Sequence, residues 1–186
     1  KKIDWSPPSL PGDCLAGFHY FYWFKPAVDV FIQTGEKRYR DFLIDILTQY
    51  CFELPRHPRW NSELKAKAFN GLAVAAKWPV FLSAYLALIQ SGEVPARLIE
   101  GLLKMFLGFA RALDNQWPRF IPSNNAFCVG TCTLLHIARA FPEFRESGPW
   151  DRKAIGFMAK LARTGFYADG GNRERVWGYG SCICKA

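Results

Sequence analysis

Long uninterrupted apolar segments are scarce in this sequence, and so is the alternation of apolar and polar residues that marks β-strands. Lys25, Lys77 and Lys104 each interrupt an apolar segment, so no run reaches the roughly 18 to 20 residues that cross a membrane. This predicts a soluble protein. The chain opens on Lys-Lys-Ile-Asp-Trp, with neither a starting Met nor the apolar stretch of a signal peptide. These residues therefore give no indication of export, and the natural N-terminus is expected upstream.

Cysteines are also too few for a disulfide framework, since there are six in 186 residues. Cys128, Cys132 and His136 follow one another at four-residue spacing, which places them on one face of a helix. Along a helix axis, however, Cys128 and His136 lie about 12 Å apart. That is too far for both to bind one zinc ion at about 2.0 to 2.3 Å. The spacing therefore predicts buried free thiols and no metal site.

Aromatic residues and positive charge are abundant. The 16 Phe, 7 Trp and 7 Tyr residues exceed what the core of a helical bundle needs, and aromatic faces bind flat ligands such as sugar rings. The net charge of +8 favours a polyanionic partner, whether nucleic acid, acidic lipid or acidic polysaccharide. Half of the residues are apolar, which is enough for a sizeable core in one globular domain.

Apolar residues recur at steps of three and four, as on one face of a helix. The two clearest stripes are Tyr39, Phe42, Leu43, Ile46, Leu47 and Tyr50, and Leu98, Leu102, Met105, Phe106, Phe109 and Leu113. Start and stop signals predict six helices, at roughly 14–33, 36–53, 61–90, 95–114, 123–141 and 149–166. Short links at 34–35 and 91–93 imply antiparallel neighbours. The chain is therefore predicted to be all-α, with three antiparallel helical hairpins.

The start of the fifth predicted helix is rich in asparagine. Ser123 suffices to cap this helix, yet Asn124 and Asn125 follow in its first turn, where asparagine is a poor helix former. Backbone dipoles favour negative charge at such a position. The two amides therefore either complete a local cap or bind an anionic ligand.

A glycine-rich segment follows the last predicted helix. Residues 165–180 contain five glycines, two arginines and several aromatics. Glycines let the backbone turn sharply near a ligand, and arginine side chains suit carboxylates or sulfates. An ordinary surface loop with a turn at Asp169-Gly170 is the alternative interpretation.

Taken in order, these motifs resemble the heparinase II/III family of polysaccharide lyases and its alginate-cleaving relatives. The matching residues are Asn124-Asn125, Phe141-Pro142-Glu143, Trp150, Asp169-Gly170, Glu174 and Tyr179, with Thr34 to Tyr39 similar to the family's helical hairpin region. The resemblance implies part of an incomplete (α/α) toroid, as a single partial domain over 1–186. The family's C-terminal β-rich domain is expected to be absent from this chain. The implied chemistry is β-elimination of a uronic-acid-containing polysaccharide.

Specific roles follow from the resemblance. Asn125, helped by Asn124, would neutralise the substrate carboxylate, and Tyr179 would act as acid and base. The implied substrate-binding residues are Asn124, Arg173, Arg175, Trp177, Lys67, Trp117 and Arg119. The alternatives are a packing tyrosine for Tyr179 and a solvated helix face for Lys67.

The sequence also departs from the family pattern. Ala126 and Gly180 stand where members commonly carry His, and the family's further catalytic His has no match in the chain. Two alternatives to an enzyme therefore stay open. One is a non-catalytic relative that binds acidic carbohydrate, and the other is a helical-repeat protein that binds partners through its basic face. For the enzyme or the non-catalytic relative, the resemblance implies an acidic polysaccharide as partner instead of nucleic acid or a membrane. It also implies no cofactor, no metal, and a periplasmic or secreted location.

Overall fold

The computed structural model describes residues 2–10, 12–59, 61–116 and 125–164. Within these ranges it contains eight α-helices and one 3₁₀ turn, Leu54–Arg56, and no β-strand. The helices are α1 Gly12–Phe18, α2 Lys25–Thr34, α3 Lys37–Phe52, α4 Ser62–Phe69, α5 Gly71–Ser91, α6 Ala96–Gln116, α7 Asn125–Ala140 and α8 Ser147–Thr164. The prediction of an all-α chain is therefore confirmed.

The chain divides into two compact units, Lys1–Phe106 and Leu107–Ala186. The boundary falls inside α6, whose residues therefore belong partly to each unit. The prediction of one partial domain over 1–186 stays a prediction.

The helix predicted at 14–33 is two helices, α1 and α2. Pro26 is the second residue of α2, and a proline there lacks the N–H that a continuous helix would use. Between the helices, Phe21 adopts a φ of 63°, which is unusual for a residue other than glycine. Its fully buried ring meets the rings of Tyr50 and Phe81 edge-on, each at 4.7 Å between centroids. This packing offsets the backbone strain.

The helix predicted at 61–90 is also two helices, α4 and α5, separated by Asn70. Its backbone is extended, with ψ at 162°. The side chain holds both helix ends, because Oδ1 accepts from the N–H of Ala73 at 2.8 Å and Nδ2 donates to the carbonyl of Lys67 at 3.1 Å. Asparagine is a preferred residue at such helix starts.

The two predicted apolar stripes are largely buried. On α6, Leu98, Leu102, Phe106, Phe109 and Leu113 are buried, and Met105 is half-buried. On α3, the buried positions are Leu43, Ile46, Leu47 and Tyr50. The burial of Phe42 was predicted wrongly, since 41% of it is exposed. Its ring lies at the flank of the stripe, 6.1 Å from the ring of Phe24.

Helix α5 is long and apolar enough to cross a membrane, judged by length and composition alone. The sequence argument that Lys77 excludes a span of this length was therefore too strict, because one charged residue does not end the apolar run. The core helix of a protein that never meets a membrane passes the same test. In this fold Val74, Trp78, Phe81 and Leu88 of α5 are buried.

Candidate functional site

Asn125 is the first residue of α7, as the resemblance to the lyases requires. The first four N–H groups of a helix have no partner within the helix, and they carry the positive end of its dipole. Position 125 is therefore suited to a negatively charged ligand. Ser123 and Asn124 lie outside the residues that the structure describes.

The first turns of α7 are fixed by their packing against α8. Phe127 is 2% exposed, and its ring meets that of Phe157 edge-on at 5.2 Å. Thr131 Oγ1 donates to the carbonyl of Phe127 at 2.7 Å. Further along, Arg139 Nε pairs with Asp151 Oδ1 at 2.8 Å, so the two helices run antiparallel. This hairpin gives the start of α7 a rigid support.

The motif Phe141-Pro142-Glu143 builds the corner between α7 and α8. The ring of Phe141 stacks on that of Phe144 at 5.2 Å, and Ser147 Oγ donates to the carbonyl of Phe141 at 2.6 Å. Trp150, the next residue of the motif, is 3% exposed. In this chain, therefore, these residues form the hairpin that carries Asn125.

The buried free thiols predicted at Cys128 and Cys132 are confirmed. A hydrogen bond with the Cys128 thiol lowers the pKa of Cys132, whose sulfur lies 3.7 Å from that of Met158. His136 is exposed on the same helix. Within the described ranges, no three His, Cys, Asp or Glu side chains lie close enough together to hold a metal ion.

Most of the other candidate site residues lie outside the described ranges. These are Asn124, Tyr179, Arg173, Arg175, Trp177, Trp117 and Arg119, and their roles stay predictions. Lys67 is described and lies on α4 in the first unit. Its Nζ pairs with Glu63 Oε1 at 2.7 Å. Part of its charge is therefore neutralised within its own helix, and its role in substrate binding stays a prediction.

A buried lysine, which sequence reasoning treated only as an interruption of an apolar run, organises the core of the first unit. Lys77 Nζ donates to the hydroxyl of Tyr50 at 2.7 Å and to the carbonyl of Ala68 at 2.5 Å. The rings of Phe21, Tyr50 and Phe69 surround it at 5.2 to 5.9 Å. Burial lowers the pKa of Lys77 well below its usual value and raises that of Tyr50. The signal was present in the sequence, as a single lysine within a 21-residue apolar helix.

His19 is another polar group buried in this core. Its Nε2 donates to the carbonyl of Trp5 at 3.1 Å, and its Nδ1 has no partner among the described residues. Burial lowers the pKa of His19 from 6.5 to about 4. The imidazole is therefore neutral at physiological pH.

These features define a class of protein: an all-α chain of antiparallel hairpins in which an asparagine opens one helix and a Phe-Pro-Glu corner closes the hairpin. The chain matches the family described as "Heparinase II/III N-terminus" over residues 1–185. It belongs to this family, which confirms the resemblance found in the sequence. No curated protein sequence matches the chain.

Solved structures show the same relationship at the level of the fold. The heparan sulfate lyase HepC from Pedobacter heparinus aligns with 92% of this chain, with a TM-score of 0.71 and 18% identity. A heparinase III, the BT4657 gene product, aligns with 98% of it, with a TM-score of 0.72 and 15% identity. The chain spans 26% of the first protein and 30% of the second. The shared fold agrees with the incomplete (α/α) toroid that the resemblance implied.

Proposed function

We propose that the chain supplies the helical part of a lyase that cleaves a uronic-acid-containing acidic polysaccharide by β-elimination. The observation that carries this proposal is the family match over residues 1–185, together with Asn125 as the opening residue of α7. The names of the similar structures, a heparan sulfate lyase and a heparinase III, favour a glycosaminoglycan as the substrate. Because such polymers lie outside the cytoplasm, we propose a periplasmic or secreted protein.

The first step of this reaction removes the proton from the carbon next to the uronate carboxylate. A charged carboxylate opposes this step, because the negative charge of the resulting carbanion develops beside it. The Asn125 amide, bonded to the carboxylate at a helix start, stabilises that charge. Asn124 supports it from the preceding position.

The second step completes the elimination. The electron pair left on carbon forms a carbon–carbon double bond, and the neighbouring bond to the glycosidic oxygen breaks. Tyr179 donates a proton to that oxygen, since a phenol with an ordinary pKa near 10 is protonated at neutral pH. Arg173 or Arg175 stabilises the phenolate form of Tyr179, so that this phenolate takes the proton from carbon in the first step and the resulting phenol returns it to the glycosidic oxygen in the second. One proton leaves carbon and one reaches oxygen, and no water is consumed.

Aromatic and basic side chains on either side of α7 would hold the polymer. Trp117 and Arg119 precede the helix in sequence, and Trp177 lies in the glycine-rich segment beside the two arginines. Lys67, on α4 of the first unit, is a separate candidate contact for the polymer. Aromatic faces and guanidinium groups together suit a sugar that carries carboxylates or sulfates.

The test is the appearance of an unsaturated uronate, which absorbs in the ultraviolet. The chain, and the complete product of its gene, are mixed with heparan sulfate, chondroitin sulfate and alginate. We expect absorbance to rise with at least one of them.

Tyr179→Phe should lower kcat by about 10²-fold or more while changing the Kd less than about twofold, because it removes only the proton donor. Tyr22→Phe, at an exposed tyrosine, is the matched control.

A non-catalytic carbohydrate-binding protein is the second candidate function, and Ala126 favours it. This position in the first turn of α7 commonly carries His in the family, and alanine transfers no proton. Binding of an acidic oligosaccharide without any absorbance change, by both the chain and the complete product, would establish this function in place of the lyase.

A further inference from the structure

The first unit contains a cavity of about 530 Å³ that the proposed chemistry does not use. It lies between the N-terminal segment at residues 2–5 and the turn at 53–58 that follows α3. Cavities of about 300 to 1,000 Å³ commonly bind small ligands. Its size therefore fits one or two sugar units.

The cavity and its edge carry basic side chains whose acidic partners lie within the same wall. Lys2 pairs with Glu53 at 3.1 Å between Nζ and Oε2. His57 Nε2 lies 3.1 Å from Asp4 Oδ1, and Arg59, just beyond the lining, reaches Asp4 Oδ2 at 3.2 Å. The two carboxylates are thus engaged by Lys2, His57 and Arg59, and they hold these side chains in place.

Arg56 differs from these groups. It is exposed at the end of the 3₁₀ turn, and it forms no ion pair with any residue of the described ranges. Counting Lys2, Arg56 and Arg59 against Asp4 and Glu53, the cavity and its edge carry a net charge of +1 with His57 neutral. A guanidinium fork binds carboxylates and sulfates through two parallel hydrogen bonds.

The remaining wall is apolar and aromatic. Ile3, Trp5 and Pro58 line it, and Trp5 is 1% exposed. The indole N–H of Trp5 is buried and has no acceptor among the described residues, so the wall also contains an unused donor. An apolar wall with a few polar groups at its edge is the usual composition of a small-molecule site.

We propose that this cavity binds one anionic sugar unit of an acidic polysaccharide, with its carboxylate or sulfate against Arg56 and its ring against the apolar wall. The inference rests on the proposed function for the class of ligand, and it adds a subsite in the first unit. It predicts that affinity for the polymer depends on Arg56, whereas bond cleavage depends on Tyr179.

The test measures binding without turnover. Tyr179→Phe protein is titrated by calorimetry at low salt with heparin, chondroitin sulfate and alginate tetrasaccharides. Adding Arg56→Ala should raise the Kd of the bound probe about tenfold, which equals about 1.4 kcal/mol and is typical of a charged hydrogen bond. Arg56→Lys should restore part of the affinity. Arg38→Ala is the matched control, since Arg38 is exposed in the same unit but does not line the cavity, and we expect a change below about twofold.

Each outcome decides the proposal. Equal affinities for Arg56→Ala and Arg38→Ala would overturn the subsite, and the absorbance assay would still judge the proposed function. Failure of all three probes to bind the Tyr179→Phe protein would also overturn the subsite, whereas only the absence of absorbance with the wild-type protein would overturn the lyase. Because Arg56 is exposed, the melting temperatures of the variants should agree, and a lower value for Arg56→Ala with unchanged affinity would assign Arg56 a structural role instead.

Discussion

His19 shows how one buried residue makes the stability of this protein depend on pH. In the folded chain its pKa is about 4, whereas the ordinary value is 6.5. As the pH falls below 6.5, the unfolded chain binds a proton that folded His19 does not bind. The free energy of unfolding therefore falls between pH 6.5 and about 4, and the contribution of His19 is constant below that range. The lowering of the pKa from 6.5 to about 4 corresponds to a loss of about 3 kcal/mol in the free energy of unfolding.

His19→Gln tests this argument. Glutamine retains an N–H that can donate to the carbonyl of Trp5, but it does not titrate. We expect the free energy of unfolding of this variant, measured by chemical denaturation, to fall by about 3 kcal/mol less than that of the wild type between pH 6.5 and 4. Parallel profiles for wild type and His19→Gln would show that His19 does not titrate with a lowered pKa.

At the scale of the element, two glycines of α6 have opposite surroundings. A Cβ added at Gly101 would lie 2.6 Å from Cζ of Phe52, whose ring also lies under the guanidinium of Arg97. A Cβ at Gly108 would meet no described atom within 4 Å. The same substitution should therefore have opposite effects at two positions of one helix.

Gly108→Ala should raise the free energy of unfolding by about 0.5 to 1 kcal/mol, because alanine loses less backbone entropy in a helix. Gly101→Ala should lower it by about 1 to 2 kcal/mol, because the ring of Phe52 must move. Urea denaturation of the two variants measures both effects against the wild type. A gain in stability at Gly101 would mean that the half-buried ring of Phe52 moves aside at little cost.

Some helix boundaries could be predicted from the sequence and others could not. Gly35 and Gly92 were predicted to separate helices, and each ends a helix with a positive φ, of 64° and 72°. The breaks at Phe21 and Asn70 were missed. Periodicity continues through both. Pro26 marked the first break in the sequence, but the packing of Phe21 and the side-chain cap at Asn70 are visible only in the folded chain.

The position of Asn125 at a helix start could be predicted for a different reason, whereas its role and the other candidate site residues stay predictions. Asn125 and the Phe-Pro-Glu corner carry family motifs, so sequence order alone located them. The polar core around Lys77 carries no such motif. Its partners Tyr50 and Ala68 come from α3 and α4, and only the folded chain brings them together. The cavity at Arg56 was missed likewise, because its wall joins residues about 50 positions apart in sequence.

At the scale of the whole molecule, the excess of 24 basic over 16 acidic side chains has little to do with stability. Most of the ion pairs in the described part of the chain have a partner that is at least one-third exposed, and water and salt screen such pairs so that they add little to stability. A net charge of +8 instead raises the local concentration of polyanions at the surface. The charge would therefore serve the proposed binding of an acidic polysaccharide more than it serves folding.

The whole molecule also decides how the apolar helix α5 behaves toward lipid. Its apolar residues are the core of the first unit, and the amine of Lys77 is held by Tyr50 and Ala68 instead of meeting hydrocarbon. Releasing α5 into a bilayer would break these bonds and expose the core of its neighbours to water.

We therefore expect the folded chain not to float with neutral phosphatidylcholine vesicles on a density gradient. Neutral lipid is the proper probe, because a charge of +8 attracts anionic vesicles without any insertion. The urea-unfolded chain, diluted into the same vesicles, is the positive control, and co-flotation of the folded chain would show that α5 leaves the core.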